Sequence, residues 1–367
     1  MKRIRIYGIC DTSENTSGIR IIKKELGLNS QKYRIEWDSK NPDYLFVTTC
    51  IYKSKEKMAE FLNYYSSKRV SIFLADEAVL PDLNLFDYAL TFNDDVMEDR
   101  ICKHPTYLFF AESIYKEENE LKNLEEAQGI LKRKTKFCNF IYSNAKAHPY
   151  RDELFWEIGK YKKVDSLGQH LNNTNIGSSR FANNWREISI KLKGNYKFSI
   201  AAENASFLGY TSEKILTTFQ AHSIPIYWGN ANIEKEFNPK AFINCSNFET
   251  IDDVVEEIRR IDQDEKVWLQ MVMEPWRTEE QREREERNIE KYKQFVEHIF
   301  SQDLEKAKRA PQGTMIDIYY ESLRNGIQRN EGIHKILSIF NVKEEMLCIK
   351  NILRKLWNMM ITSCMEK

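Results

Sequence analysis

The chain has no run approaching the roughly 18 apolar residues that a membrane-crossing helix needs, so no segment is expected to span a bilayer by itself. Its opening, MKRIRIYGIC, is a charged start running into a short strand without the apolar stretch of a signal peptide, and the expectation is a cytoplasmic chain. Net charge is also missing. Lys plus Arg and Asp plus Glu each total 55, which leaves no global basic field and argues against nucleic acid as a partner. The cysteines, Cys10, Cys50, Cys102, Cys138, Cys245, Cys348 and Cys364, are an odd seven with no C-x-x-C pair; this counts against a zinc site and a disulfide framework, and most read as buried thiols. The six histidines lack the H-E-x-x-H and H-x3-H spacings of metal sites. His148 reads as a satisfied loop histidine near Arg151. No G-x-S-x-G elbow is present, and no G-x-G-x-x-G fingerprint of a dinucleotide-dependent oxidoreductase. The sole D-x-D, Asp262-Gln263-Asp264, lies in the charged run EEIRRIDQDEK and reads as a solvated helix end rather than a metal motif.

What is there suits two domains: 367 residues are long for one hydrophobic core, and 42% apolar content is enough for globular folding. The N-terminal part alternates strands and helices. Arg3 to Ile9 reads as a strand, Gly18 to Leu26 as a helix, Tyr44 to Thr49 as a strand, Lys55 to Tyr65 as a helix and Val70 to Leu74 as a strand. This is a doubly wound α/β pattern, in which ligands sit beyond the carboxyl ends of the strands. Asp76 and Glu77 follow such an end directly, where a catalytic carboxylate could stand or where a turn could be capped.

The densest signal is residues 196–230. Tyr196 to Ala201 is an aromatic and β-branched run suited to a buried strand, and Ile224 to Trp228 is a second, ending at Gly229. Between them Thr211 or Ser212 is a plausible N-cap for a helix with Glu213 and Lys214 in its first turn and Ile215, Leu216, Phe219 and Ala221 on one face. The loop of such a β-α-β unit is an anion site. It offers an acid and amide pair, Glu203 and Asn204, a Gly209-Tyr210 turn, and Glu213 beside Lys214. Any one of these alone reads as a strand end or a solvated turn. As a set they suit a nucleotide-sugar diphosphate, with Lys214 meeting the pyrophosphate as a point charge and Glu213 accepting from ribose hydroxyls.

The pattern E-N-x4-G-Y-x2-E-K followed by I-P-I-Y-W-G resembles the donor-binding signature of the α1,3-fucosyltransferases of glycosyltransferase family 10. Lys136 to Phe140 with Arg151 resembles that family's K-F-C-x-F strand and following arginine, and Val164-Asp165 with Gly168 resembles its V-D-x-x-G. Asp76-Glu77 ahead of Pro81 and Asn84 to Ala89 resembles its bacterial members. The likeness spans about residues 70–245.

The resemblance implies a GT-B type fold of two Rossmann-like domains facing a cleft: residues 1–135 for the acceptor, 136–310 for GDP-fucose with closing helices, and a helical tail over 311–367. It implies inverting transfer of L-fucose from GDP-fucose to the 3-hydroxyl, or the 4-hydroxyl, of N-acetylglucosamine in lactosamine-type glycans, giving Lewis-type products. It puts Glu77 in the role of general base. Arg151, a planar fork for phosphate oxygens, and Lys214 would offset the charge of departing GDP, with no cofactor and no essential divalent metal. Ala202 stands where many members have an aromatic, and Phe207 and Leu208 replace smaller or polar residues, so the donor pocket is expected to be more open on one wall and reshaped near the sugar. The rival reading is a nucleotide-sugar or glycan-binding protein of the same fold that lacks this catalysis or differs in specificity.

From Asp252 the sequence turns helical and charged, and Ile289, Tyr292, Phe295, Val296 and Ile299 mark one packing face of RTEEQREREERNIEKYKQFVEHIF. After Ala310 to Gly313, an apolar stripe of Val342, Met346, Ile349, Leu353, Leu356 and Met360 follows a capping box at Asn341 and Glu344, with Lys350, Arg354 and Lys355 nearby. Three readings stand for residues 342–360: peripheral contact with the inner face of the membrane, pairing with a second copy, and packing on the body. Because Glu77 and the donor motif all lie before Cys245, cutting after about Gln312 is expected to leave the fold and the active site largely intact.

Overall fold

The computed structural model describes residues 2–9, 32–65, 68–93, 97, 99–107, 123–174 and 185–339, with side chains of the last helix to residue 327. The expected helix over 18–26 and the stripe over 342–360 lie outside the described residues.

Two parallel sheets form. The first holds β1 (Lys2–Ile9), β2 (Tyr33–Trp37), β3 (Tyr44–Thr48), β4 (Val70–Leu74), β5 (Tyr88–Thr91) and β6 (Ile101–Lys103), in the order β2-β1-β3-β4-β5-β6. The second holds β7 (Lys136–Phe140), β8 (Val164–Ser166), β9 (Tyr196–Ala202), β10 (Ile224–Trp228) and β11 (Ile243–Asn244), in the order β11-β10-β9-β7-β8. Every strand pairing in both is parallel. Because helices cover both faces of such sheets, central strands read as continuous apolar runs: all of VSIFL in β4 is buried. Each sheet reverses direction once, between β1 and β3 in the first and between β7 and β9 in the second, and ligands bind beyond the strand ends at such switch points.

The helices between strands obey local chemistry. In chain order they begin with α1 (Cys50–Lys53), α2 (Lys55–Tyr64), α3 (Leu124–Arg133), α4 (Tyr150–Tyr161), α5 (Trp185–Lys193) and α6 (Glu213–Gln220). They continue with α7 (Ile251–Gln263), α8 (Glu265–Met273), α9 (Glu279–Ser301) and α10 (Thr314–Ile339). Asn123 caps α3 by accepting from the Glu126 amide at 2.9 Å, with acids in its first turn and Lys132 and Arg133 in its last. Thr278 and Gln281 form a capping box at the start of α9.

The last helices cross back. Tyr292, Val296, Ile299 and Phe300 of α9 are buried against Ile4, Ile6, Tyr44, Phe46 and Ile72 of the first sheet. Asp87, fully buried between β4 and β5, then holds the returning chain by accepting from the Lys308 ammonium at 3.0 Å and from the Arg309 and Ala310 amides at 2.7 Å each. Tyr320 of α10 is buried in the same cluster as Phe61 and Phe86, its hydroxyl between Tyr65 and the Asn84 carbonyl. The closing helices expected with the second domain thus reach the first sheet. By packing, α9 from Tyr292 and the chain to Ala307 sit on the first sheet, while Gln281 at the start of α9 donates to the Glu234 carbonyl of the second domain, and Tyr320 of α10 is buried against the first domain. An amphipathic face specifies that a helix packs, not which sheet receives it.

Cys102, Cys138 and Cys245 are free thiols, and Cys50 is disulfide-bonded, an exception to the reading of the cysteines as thiols. Among the described residues no helix is long and apolar enough to cross a membrane.

Candidate active site

A cavity of about 380 Å³ opens between the two sheets, a volume ordinary for a small-molecule site. The first sheet contributes Asp76 and Glu77, directly after β4. The second contributes Tyr142 and Asn144 after β7, Asn204 after β9, Arg151 from α4, and Glu213 and Lys214 from the first turn of α6. The lining thus comes from both sides of the β7/β9 switch point.

The two adjacent acids separate by their partners. Asp76 turns back into its own domain, where Oδ1 accepts from the Thr49 amide at 3.0 Å and the Thr49 hydroxyl at 2.6 Å, as a turn cap does. Glu77 reaches across. Its Oε1 accepts from the Lys53 ammonium at 3.0 Å, and its Oε2 from the Tyr210 hydroxyl at 3.3 Å and the Asn204 amide at 3.4 Å. Burial alone would raise the Glu77 pKa, but Lys53, then Lys214 and Asn204, bring it below the ordinary carboxylate value. The carboxylate is thus held in its ionised form at neutral pH.

Arg151 is fully buried beneath the cavity, its guanidinium stacked on the Tyr142 ring at 4.3 Å. One Nη donates to the Asn204 side-chain oxygen at 3.0 Å and the other to the Asn144 carbonyl. Its ion pair with the neighbouring Asp152 is loose and buried on the arginine side. Asp152 stands 3.8 Å from Nε and its other oxygen meets His170 at 2.7 Å. Asn204 therefore bridges the buried cation of one domain to the acid of the other.

Glu203 is fully buried and does not line the cavity. Its oxygens accept from the Ser212 amide at 2.8 Å, the Ser212 hydroxyl at 2.7 Å and the Lys214 ammonium at 2.9 Å. The helix-start amide that an anion could have used is thus taken by a side chain. Ser212 is the N-cap but makes no side-chain cap bond, because its hydroxyl is committed to Glu203. Burial opposes the Lys214 charge, yet Glu203 and Glu213 outweigh it and hold the ammonium protonated above its ordinary pKa. Lys214 also donates to the Ser212 hydroxyl at 2.8 Å, leaving one of its three N–H donors for the cavity.

Two glycines make this packing fit. Gly229 has φ 152° and a Cβ there would sit 2.5 Å from Glu203 Cγ; Gly209 has φ 81° and a Cβ would sit 2.5 Å from the Phe92 carbonyl of the first domain. Gly209 itself lies outside the cavity wall, while Tyr210 beside it is buried among first-domain side chains including Phe92, at 5.3 Å. Phe207 likewise packs edge-on against Phe92 at 5.4 Å and Leu208 is exposed, so neither reshapes the cavity. Ala202 is buried in the core of the second domain, so the expected open wall is not where the small side chain acts.

Sequence reasoning missed Lys53, Tyr142, Asn144 and Lys193. The end of β7, at the switch point, was the available signal for Tyr142 and Asn144; nothing local marked Lys53. Lys193 lines the cavity floor, donates to the Thr217 and Thr218 hydroxyls at 2.8 and 3.1 Å, and is pulled down to about 7 by burial. His148 stacks on Trp228 at 4.7 Å, outside the cavity wall. Asp262 accepts from Lys162, Lys197 and Tyr161 at 3.1 Å each, so its carboxylate is occupied at a helix end remote from the cavity. Among the described residues no group of three or more His, Cys, Asp or Glu is placed to hold a metal ion.

Comparison with known proteins supplies the family. Residues 131–317 match the C-terminal model of glycosyltransferase family 10 (fucosyltransferase), and residues 11–110 match the N-terminal domain of α-(1,3)-fucosyltransferase FucT. A putative fucosyltransferase of Acanthamoeba polyphaga mimivirus is 31% identical over 190 residues, covering 51% of this chain and 31% of that protein. The α-(1,3)-fucosyltransferase FucT of Helicobacter pylori is 28% identical over 249 residues, covering 59% of this chain and 48% of its own length. The chain thus spans half or less of these relatives. A crystal structure of an α1,3-fucosyltransferase superposes with a TM-score of 0.64 at 21% identity, over 85% of this chain and 93% of that one, and another with GDP-fucose gives 0.60 at 23%, over 83% and 92%. These likenesses show the GT-B type fold of two Rossmann-like domains facing a cleft. With family models matched on both sides of that cleft, the chain belongs to glycosyltransferase family 10, the fucosyltransferases.

Proposed function

We propose that the protein transfers L-fucose from GDP-fucose, with inversion, to the 3-hydroxyl of N-acetylglucosamine in a lactosamine-type glycan. The observation that carries this reading is the single cavity that brings Glu77 from one domain together with Arg151 and Lys214 from the other, in a family 10 chain. The named activity of the Helicobacter pylori relative supports the linkage, and the structural neighbour with GDP-fucose supports the donor.

In the reaction, the acceptor oxygen attacks the anomeric carbon as the bond to the β-phosphate oxygen breaks and GDP leaves with its electron pair. Inversion requires attack from the face opposite GDP, so the base and the phosphate cations must stand on opposite sides of the sugar; Glu77 comes from one domain and Arg151 and Lys214 from the other. Glu77 takes the hydroxyl proton. Arg151 and Lys214 meet the charge that grows on the pyrophosphate, and Glu203 keeps Lys214 aimed. Glu213, at the cavity wall, accepts from ribose hydroxyls. Arginine and lysine charges fill the place a metal would hold, so activity should persist in a strong chelator.

The test is GDP release with and without N-acetyllactosamine, with the product linkage read by NMR. Acceptor-dependent release and an α1,3 linkage are expected; an α1,4 linkage would change the regiochemistry. GDP-fucose binding with no transfer to any acceptor glycan would overturn the enzymatic reading.

A further inference from the structure

Three exposed apolar side chains lie around the loop that carries Glu77: Tyr52 is 42% exposed, Leu80 43% and Tyr319 36%. Tyr52 belongs to α1 and Tyr319 to α10, far apart in sequence, yet both hydroxyls converge on Asp82. The Tyr319 hydroxyl donates to Asp82 Oδ2 at 2.7 Å, and the Tyr52 hydroxyl is near enough to Asp82 to feel its backbone amide. Behind them the rings are backed by the core: Tyr52 packs on Phe73 at 5.9 Å, and Tyr319 lies 5.9 Å from Tyr320, itself buried. Large side chains held this way lose little freedom when a ligand covers their open faces.

The location connects this patch to the reaction. Tyr52 immediately precedes Lys53, whose ammonium touches Glu77, and Asp82 and Leu80 follow Glu77 in the same loop. The rings therefore lie on the first-domain side of the base, beside the loop that carries it. Aromatic faces take up the apolar C–H faces of pyranose rings, while hydroxyls and carboxylates nearby bind the sugar oxygens.

We propose that Tyr52 and Tyr319, pinned by Asp82, form a platform on which the sugar ring of a saccharide acceptor stacks to present its hydroxyl to Glu77. The proposal rests on the fucosyl-transfer reading for its ligand class, and it adds the elements that select the acceptor, including α10, which follows both sheets in the chain. It gives α10 a part in recognition.

The test uses the full chain with Tyr52→Ala, Tyr319→Ala and the two Tyr→Phe variants. Saturation-transfer NMR with N-acetyllactosamine reports acceptor binding without requiring turnover, and GDP calorimetry reports the donor side. Each alanine variant is expected to weaken the acceptor about tenfold, or to raise its KM by that factor, with GDP affinity and kcat within about twofold of wild type. The Phe variants, which keep the ring, should stay within about threefold. The proposal is overturned if wild type shows no saturation transfer to the sugar, if both alanine variants bind it as wild type does, or if GDP affinity falls in step with acceptor affinity. Failure of wild type to turn over GDP-fucose while it binds the saccharide through these rings would instead sink the enzymatic reading and leave the platform standing.

Discussion

Glu77→Gln separates chemistry from architecture, because the structure bounds how much folding energy the change can remove. The Lys53 partner is 63% exposed, so that ion pair contributes about 0–1 kcal/mol. The bonds from Tyr210 and Asn204 are long, at 3.3 and 3.4 Å, and a glutamine oxygen can keep one of them; losing the other costs about 0.5–1.5 kcal/mol. Stability should therefore fall by no more than about 2.5 kcal/mol. Loss of a general base should lower kcat by about 10² to 10⁴, or about 3–5 kcal/mol of transition-state stabilisation. Initial rates of GDP release with N-acetyllactosamine, thermal melting and GDP calorimetry on the same preparation would resolve the two effects. GDP affinity should hardly move. Asp76→Asn is the matched control: the asparagine oxygen still accepts from Thr49, so turnover should remain within a few-fold of wild type. Near wild-type turnover in Glu77→Gln, with activity abolished in Asp76→Asn, would refute the assignment of the base.

Lys53→Met removes the main group opposing burial at Glu77, so the acid limb of kcat/KM, which lies below the ordinary carboxylate range in wild type, should move to higher pH; an unmoved limb would show that another group titrates. Lys214→Met should weaken GDP about 10- to 150-fold more than guanosine, and because it strands the buried Glu203 it should also cost about 3–5 kcal/mol of stability, partly recovered by adding Glu203→Gln; equal losses for GDP and guanosine would refute the phosphate role. Gly209→Ala should destabilise by about 1–3 kcal/mol and lower kcat by displacing Tyr210 from Glu77, and a wild-type melting curve would refute it. Cutting after Gln312 removes Tyr320, whose burial alone contributes about 1.5–3 kcal/mol, so the melting temperature should drop by several degrees; an unchanged value would restore the view of residues after 312 as a free tail.

Local pattern alone determined the strands from Val70 to Leu74 and from Ile224 to Trp228 and the start of α6 at Glu213, because side-chain period, caps and turn residues act within a few positions. It also put Glu77 at a strand end, and the family signature followed from residues close in sequence. Which of two adjacent acids reaches across to the second domain was settled by Thr49, Tyr210 and Asn204, the latter two more than a hundred positions from Glu77. Glu203 has the same motif neighbours whether it faces a ligand or the core; only the close approach of Gly229 and the waiting amide of Ser212 turn it inward. The apolar face of α9 was legible as a packing surface, but its receiver, the first sheet, depends on the chain crossing back between domains. Contacts of that range are decided by mutual fit of whole surfaces, which no local window of sequence contains.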